Sequence, residues 1–284
     1  MIRKLIALFA LAAALLPAPA FAYWEYGHQT VAAIAWKNIK PSTRAEIRKL
    51  LAEQELLGTP ACPAGTIEEA AVWADCIKKL GPDYKYASNW HFTDIEICKP
   101  YDLEAACKDG NCLYEQLKRD LATLKDRRAP AADRVKALVF LIHFVGDMHQ
   151  PLHASDREDM GGNKVEAAWG IYSPQRFNLH SVWDGPLAER AGSTGPSLVR
   201  SYSPAERRKL AGGTVAEWTR QSWELARNSV YAPITANGDP CGPIEGRVVF
   251  EGPLVDKLVP VARLQLKRGG VRLAKLLDMA LAAR

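Results

Sequence analysis

The stretch Leu141 to His153, LIHFVGDMHQPLH, constrains this chain more than any other. Its front half continues an apolar helical run, ALVFLIHFVGDM, with Pro130 placed to open the helix and Pro151 placed to stop it. His143 and Asp147 are four apart and leave that helix on one face, one turn above the other. A carboxylate buried beside an imidazole carries a desolvation cost, which a dication offsets while using the neutral imidazole as it stands. His149 and His153 follow where the helix breaks, so four candidate ligands fall within eleven residues. A lone His-x-x-x-Asp pair is more often a core histidine capped by an aspartate. This chain has a second pair, His180 and Asp184 in HSVWD, again i to i+4 in a segment that reads as helix. Two such pairs among only six histidines point to a multi-metal site, and imidazole with carboxylate is a ligand class that suits zinc.

At 284 residues and 48% hydrophobic content the chain can bury a full core without a partner, so a monomer with one domain, residues 23–284, is expected. Residues 1–22 read as a secretory signal peptide: Arg3 and Lys4 are the basic start, Leu5 to Leu16 the apolar stretch, and Ala20-Phe21-Ala22 the small-x-small cleavage site. Without Arg3 and Lys4 the balance is 35 basic to 32 acidic residues, net +3, which is compatible with a polyanionic substrate but no evidence for one. No later apolar run is long enough to cross a membrane, so export to the periplasm or beyond is expected, with no membrane anchor. Export makes the six cysteines candidates for disulfides. Local spacing favours Cys62 with Cys76 and Cys107 with Cys112, leaving Cys98 for Cys241. No C-x-x-C spacing supports cysteine ligation of zinc.

The remaining chain reads as helix after helix, an all-α domain. TVAAIAWKNI forms the first; Pro41 with Thr43 and Glu46 opens a second through Gln54 in capping-box fashion; Thr66 and Glu69 start a third that carries Trp73, Asp75 and Cys76. Gly81 to Asn111 reads as a long irregular stretch interrupted by a partly alternating WHFTDIEI, and it holds His91 and two cysteines, Cys98 and Cys107, with Cys112 just after it. Leu113 to Arg127 is amphipathic. Ala154 to Asn178 is expected as a loop or small hairpin over the site, Ser203-Pro204 with Glu206 and Thr214 with Glu217 start two more helices, and Ala232 to Gly252 reads as loop. The closing RLQLKRGGVRLAKLLDMALAAR is helical, with Gly269-Gly270 as an expected kink. Candidate ligands are His28, Asp75, His91, His143, Asp147, His153, His180 and Asp184, spread over five segments as in sites built between packed helices. Taken singly, Asp75 is as well explained as a solvated helix residue and His91 as a satisfied loop histidine.

In order along the chain, Gly27-His28, Trp73-Ala74-Asp75, Trp90-His91-Phe92, HFVGDMHQPLH, Gly161-Gly162-Asn163 and NLHSVWD resemble the single-strand-specific zinc nucleases of fungi, plants and bacteria, of the nuclease S-one and P-one type. The resemblance spans essentially all of the chain after residue 22 and implies three zinc ions in an all-α fold. It implies that Asp75, His91, His143 and Asp147 hold one zinc and His153, His180 and Asp184 a second. His28, with the α-amine and carbonyl of Tyr23, would hold the third, which Asp147 bridges to the first. His149 matches a position that is not a ligand. Where this family has arginine to clamp phosphate, this chain has Lys78, a cation without the bidentate fork. Tyr23 stands where the family has tryptophan, with Trp24 next to it. Phe92 would stack a base, Asp94 would hydrogen-bond its edge, and Asn163 lies in a matching motif near the substrate.

The implied activity is endonucleolytic hydrolysis of single-stranded DNA and RNA to 5'-phosphate products, together with 3'-nucleotidase activity. Phosphodiester hydrolysis needs an activated water and stabilisation of new negative charge, both of which a zinc pair supplies, so no side-chain nucleophile is required. Three other readings fit parts of the pattern. A zinc phospholipase C shares the fold and ligand pattern, but Phe92-x-Asp94 and NLHSVWD favour the nuclease. A structural or storage zinc protein would need four protein ligands per ion, whereas the second zinc here has three. A plain nucleic-acid-binding module is disfavoured by the modest net charge.

Overall fold

The computed structural model describes residues 25–282. Residues 1–22, read above as a signal peptide, and Tyr23 and Trp24 lie outside the described residues. Eleven α-helices follow one another among them: α1 (Glu25–Asn38), α2 (Pro41–Leu51), α3 (Ile67–Ile77), α4 (Leu103–Ala106), α5 (Leu113–Lys125), α6 (Ala131–Met148), α7 (Leu179–Asp184), α8 (Pro186–Ser193), α9 (Pro204–Leu210), α10 (Val215–Leu225) and α11 (Gly252–Leu281). The all-α class therefore holds, with one small exception. Two three-residue strands, β1 (Ala167–Trp169) and β2 (Val248–Phe250), pair in parallel with Ala167 opposite Val248.

α6 is the axis. Pro130 occupies its N-cap, where a missing N–H costs nothing, and every residue from Ala137 to Met148 is buried. A helix apolar all round must be covered on all sides; α1, α2, α3, α5 and α11 supply the cover. The resulting hydrophobic core is continuous. Capping boxes close α3 (Thr66 with Glu69), α9 (Ser203 with Glu206) and α10 (Thr214 with Glu217), each with both reciprocal hydrogen bonds.

Several sequence expectations are corrected. Thr43 and Glu46 do not cap α2, which begins at Pro41 behind Lys40 and ends at Leu51, not Gln54. The Thr43 hydroxyl donates to Asp278 Oδ1 at 2.6 Å and Glu46 pairs with Arg134 at 3.2 Å, so tertiary partners claim both side chains. Gly81 to Asn111 is less irregular than expected: it contains a 3-10 helix, Pro82–His91, and the single turn of α4. Its extended part begins only at Phe92 and runs beside residues 153–156, with Thr93 N donating to His153 O and Ile97 N to Asp156 O. The segment from Ala154 to Asn178 makes isolated antiparallel bridges (Glu166 with Asn178, Trp169 with Tyr172), but its strand pairs with β2, inside the stretch read as loop. Gly269-Gly270 does not kink α11, which runs unbroken from Gly252 and includes Pro260. A Cβ on Gly270 would come within 2.3 Å of Ile34 Cβ, so the two glycines let α11 press against α1.

The three disulfides are Cys62–Cys76, Cys98–Cys241 and Cys107–Cys112, the pairing that spacing favoured. The first ties α3 to the loop before it, and the second ties the extended strand after His91 to the loop before β2. Among the described residues, no helix is long and apolar enough to cross a membrane.

Candidate metal centre

α6 delivers His143 and Asp147 into the middle of the molecule, both fully buried. Four further segments converge on them. α1 brings His28, α3 Asp75, the end of the 3-10 helix His91, and the turn after α6 His153. α7 adds His180 and Asp184 one turn apart. Every candidate ligand among the described residues therefore reaches one place, and three groups have ligand atoms all within 4.8 Å of one another: Asp75, His91 and His143; His28, His143 and Asp147; His153, His180 and Asp184. Asp147 also contacts the first group, with Oδ2 3.0 Å from His91 Nδ1 and 3.1 Å from His143 Nε2. Its other oxygen lies 3.4 Å from His28 Nε2 and 3.3 Å from His153 Nδ1. One carboxylate thus faces four imidazoles.

Backbone carbonyls orient the rings. A carbonyl only accepts, so His143 Nδ1 donates to Ala71 O (2.7 Å), His153 Nδ1 to His91 O (2.8 Å) and His180 Nδ1 to Gly161 O (2.7 Å). In each neutral ring the lone pair is then on Nε2. The consequence is clearest in the third group, where His153 Nε2 and His180 Nε2 lie 3.1 Å apart and Asp184 oxygens lie 3.6 and 3.2 Å from them. Acceptors that face one another this closely lack a donor between them, and a dication satisfies all of them at once. The donor set therefore fits metal binding, and second-sphere carbonyls of this kind fix the tautomer that a metal needs.

The electrostatics agree. Burial pushes Asp147 up, but His143 and His153 outweigh it and hold the carboxyl well below its ordinary range. Burial pushes His153 down, yet Asp147 and Asp184 raise it to about 9. Burial, reinforced by Lys78, lowers His91 to about 4. An acidic field that draws a proton onto His153 also draws a divalent cation, and the two compete.

Other predicted residues fall nearby or outside. Lys78, at the end of α3, sets its Nζ 2.5 Å from Asp75 Oδ1 and is 31% exposed, so it can reach toward solvent. Phe92 is half-buried immediately after His91. Asp94 is exposed as a residue, yet its carboxyl is raised to about 6 by partial burial and Asp156, and it also feels His153 and His180. Asn163 is at the surface, donating to Met160 O and accepting from Asn178, the N-cap of α7. His149 stands outside the three groups: its Nδ1 donates to Val145 O, and Nε2 accepts from the buried Arg272 guanidinium at 2.9 Å.

Two contributors escaped the sequence reading. Gln150, wholly buried, donates from Nε2 to Asp184 Oδ1 at 2.7 Å while its Oε1 accepts from Leu152 N, which fixes the direction of the amide. Gly146 leaves room for His28, since a Cβ there would meet His28 Nδ1 at 2.6 Å. Both lie inside HFVGDMHQPLH; a buried amide beside two histidines was the available signal for Gln150.

A helical protein with a buried polynuclear His/Asp centre able to hold several divalent cations is what the fold and site define. Residues 23–282 match the S1/P1 Nuclease family model, and the chain belongs to that family: it is a hydrolase, an endonuclease. Endonuclease 3 of Arabidopsis thaliana is 28% identical over 289 residues, covering 93% of this chain and 91% of that protein. Nuclease S1 of Aspergillus oryzae is 26% identical over 278 residues (91% and 92% covered), and Nuclease P1 of Penicillium citrinum 27% over 270 (87% and 94%).

Proposed function

We propose that this chain is an exported zinc-dependent phosphodiesterase that cleaves single-stranded DNA and RNA endonucleolytically to 5'-phosphate products and also removes 3'-phosphates from nucleotides. The observation that carries this reading is the convergence of three His/Asp clusters on Asp147 in a chain of the nuclease family. Asp75, His91, His143 and Asp147 are assigned to the first zinc; His153, His180 and Asp184 to the second; and His28, Asp147 and the amine and carbonyl of Tyr23 to the third. Bound zinc supplies an acidified water and positive charge for the phosphoryl and leaving oxygens. The protein's own part is positional. Asp147 holds neighbouring ions in register, the Ala71, His91 and Gly161 carbonyls keep three imidazoles in the ligating tautomer, and Gln150 leaves Asp184 one oxygen free. Lys78 neutralises a phosphate oxygen as a point charge, Phe92 stacks a base and Asp94 accepts from its edge. A duplex presents neither base face, which restricts this subsite to single strands. Three disulfides support export, and the basic start, apolar stretch and small-x-small site in residues 1–22 support their removal.

The test is digestion of one defined oligonucleotide, end-labelled, as single strand and as duplex. Internal cuts in the single strand, 5'-phosphate ends and loss of activity on chelation are expected; duplex cut at an equal rate, or 3'-phosphate ends, would overturn the reading. One added glycine before Tyr23 should lower zinc content by one ion, because an amide nitrogen replaces an α-amine whose ordinary pKa is about 8. Three ions retained would remove Tyr23 from the ligand set.

A further inference from the structure

Charge is distributed very unevenly on this molecule. Residues 200–213 and 263–275 hold nine basic side chains and one acidic one, Glu206, a net +8 in a chain whose total is +5, so the other residues sum to −3. Tertiary structure makes these two segments one face. Arg272 Nε of α11 donates to Leu210 O at the end of α9, and Lys275 Nζ donates to Ala211 O and Gly213 O just beyond it.

The charge on this face is only partly compensated, by Glu206 and by Glu217 near Lys275. Among the described residues, Arg200 is the one of the nine in an ion pair, with Glu206. The others that make hydrogen bonds use neutral acceptors: Arg263 the carbonyls of Ala191, Thr194 and Pro196, Arg207 that of Asn38, and Arg268 the amide of Gln265. Such bonds hold the cation in place and leave its charge intact. Arg207, Arg208 and Lys209 are exposed, and Lys267 is partly exposed, lowered by burial and by the like charges of Arg263 and Arg200. Arg272 alone is buried, turned inward to His149. Between α9 and α11 the surface is concave, a cleft of about 640 Å³ bordered by Lys40, Arg207, Arg208 and Lys275, with Asp278 its acidic member. That acid is already engaged, accepting from Lys40 N and the Thr43 hydroxyl.

A cleft beside the metal centre has no such basic surplus. The cleft next to Asp75 is lined by Glu25, Glu69 and Asp75, with Lys79 as its base. With dications offsetting the ligand carboxylates, Glu25 and Glu69 balance Lys78 and Lys79, so this cleft carries no cationic surplus to hold a long polyanion. We propose that the α9–α11 face is a second, non-catalytic binding surface for the phosphate backbone of single-stranded nucleic acid, which anchors a long strand away from the metal centre. This rests on the nucleic-acid reading of the active site. Exposed cations on and beside a concave surface match a polyanion by charge, and such contacts are independent of sequence and sensitive to salt. A dinucleotide has a single phosphodiester, which the metal centre engages, and so has no further backbone to offer this face.

The experiment compares the zinc-loaded enzyme with a triple variant, Arg208→Glu, Lys209→Glu and Lys267→Glu, none of which the structure places in the metal centre. Binding of a labelled, cleavage-resistant phosphorothioate 60-mer is followed by fluorescence anisotropy from about 0.05 to 0.2 M salt, a range over which phosphate contacts dominate the salt dependence. Hydrolysis of an unmodified 60-mer and of a dinucleotide is measured beside it. The variant should bind the 60-mer at least 10-fold more weakly at the lowest salt. Its log–log salt slope should be shallower by about 2, the value for three lost single-strand phosphate contacts. KM for the 60-mer should rise, with dinucleotide hydrolysis unchanged. Should the triple variant not fold, Arg208→Gln with Lys209→Gln must still show a shallower slope. An unchanged slope and KM overturn the proposal. So does loss, in the variant, of binding to phosphatidylglycerol vesicles with 60-mer binding intact, which would assign the face to an anionic membrane. Wild-type protein that binds the 60-mer through this face yet cleaves no single strand would sink the proposed activity and leave the surface standing.

Discussion

Asp147 is the residue on which the centre turns, because its two oxygens face four imidazoles from different segments. Asp184 faces two. Asp147→Asn should therefore lower both bound zinc and turnover more than Asp184→Asn, by at least 10-fold in rate; equal zinc content and equal residual rates would contradict a shared ligand. Gln150→Leu should weaken only the site containing Asp184, leaving the other ions in place during a chelator titration. Away from the centre, Asp120 is buried and one of its oxygens has no hydrogen-bond partner. Burial raises it to about 7, against the partial compensation of Arg119. Between pH 4 and 7 the folded protein then holds a proton that the unfolded chain releases, so stability falls as pH rises through that window. Asp120→Asn removes this dependence. The variant's stability relative to wild type should improve by about 1–3 kcal/mol from pH 4 to pH 8, read from urea midpoints; a flat difference would mean that Asp120 is ionised in the fold at low pH as well.

At the scale of elements, α6 and α11 differ in how openly the sequence declares them. α6 reads directly because it is apolar all round and bounded by prolines. α11 carries Gly269-Gly270 in its interior, and the purpose of that pair lies in another helix. Alanine is the better helix former by about 1 kcal/mol, so propensity alone would have Gly270→Ala stabilise the protein. With Ile34 Cβ and Cγ2 both 2.3 Å from the new methyl, the helices must separate instead, a cost of about 1–3 kcal/mol. Net loss of stability in thermal unfolding is expected; a gain would show that the contact between α1 and α11 is slack.

For the whole molecule, the disulfides and the proposed metal centre act on some of the same segments. Cys62–Cys76 and Cys98–Cys241 restrain segments that end at Asp75 and begin after His91, both at the centre. Reduction should therefore destabilise the protein and also weaken its hold on metal. A native disulfide commonly contributes about 2–5 kcal/mol in small domains, which serves as an upper guide for this chain. Chelation alone should lower the melting temperature by removing ions that bind only the folded state, while leaving the disulfide-braced helices folded. Mass mapping that found six free thiols, or a melting temperature indifferent to chelator, would contradict these roles.

What the sequence determined by itself is whatever is local or periodic. Ligands four apart on a helix, capping boxes three apart, apolar runs and closely spaced cysteines all have their partners within a few residues, so His143 with Asp147, His180 with Asp184, and the boxes of α3, α9 and α10 could be read directly. His28, Asp75 and His91, whose partners are distant, could be singled out as candidate ligands only with the help of motif resemblance. Only the tertiary structure decided the features whose partners are distant. Thr43 left its expected cap for Asp278; β1 found β2 some eighty residues away. The rings of His143, His153 and His180 took their orientation from carbonyls of Ala71, His91 and Gly161, which carry no side-chain signature at all. The basic face likewise exists only because α9 and α11 lie together. Local spacing selects which groups can meet, but long-range packing energy decides which of them do, and a backbone carbonyl or a surface charge acquires its role only from what the fold sets beside it.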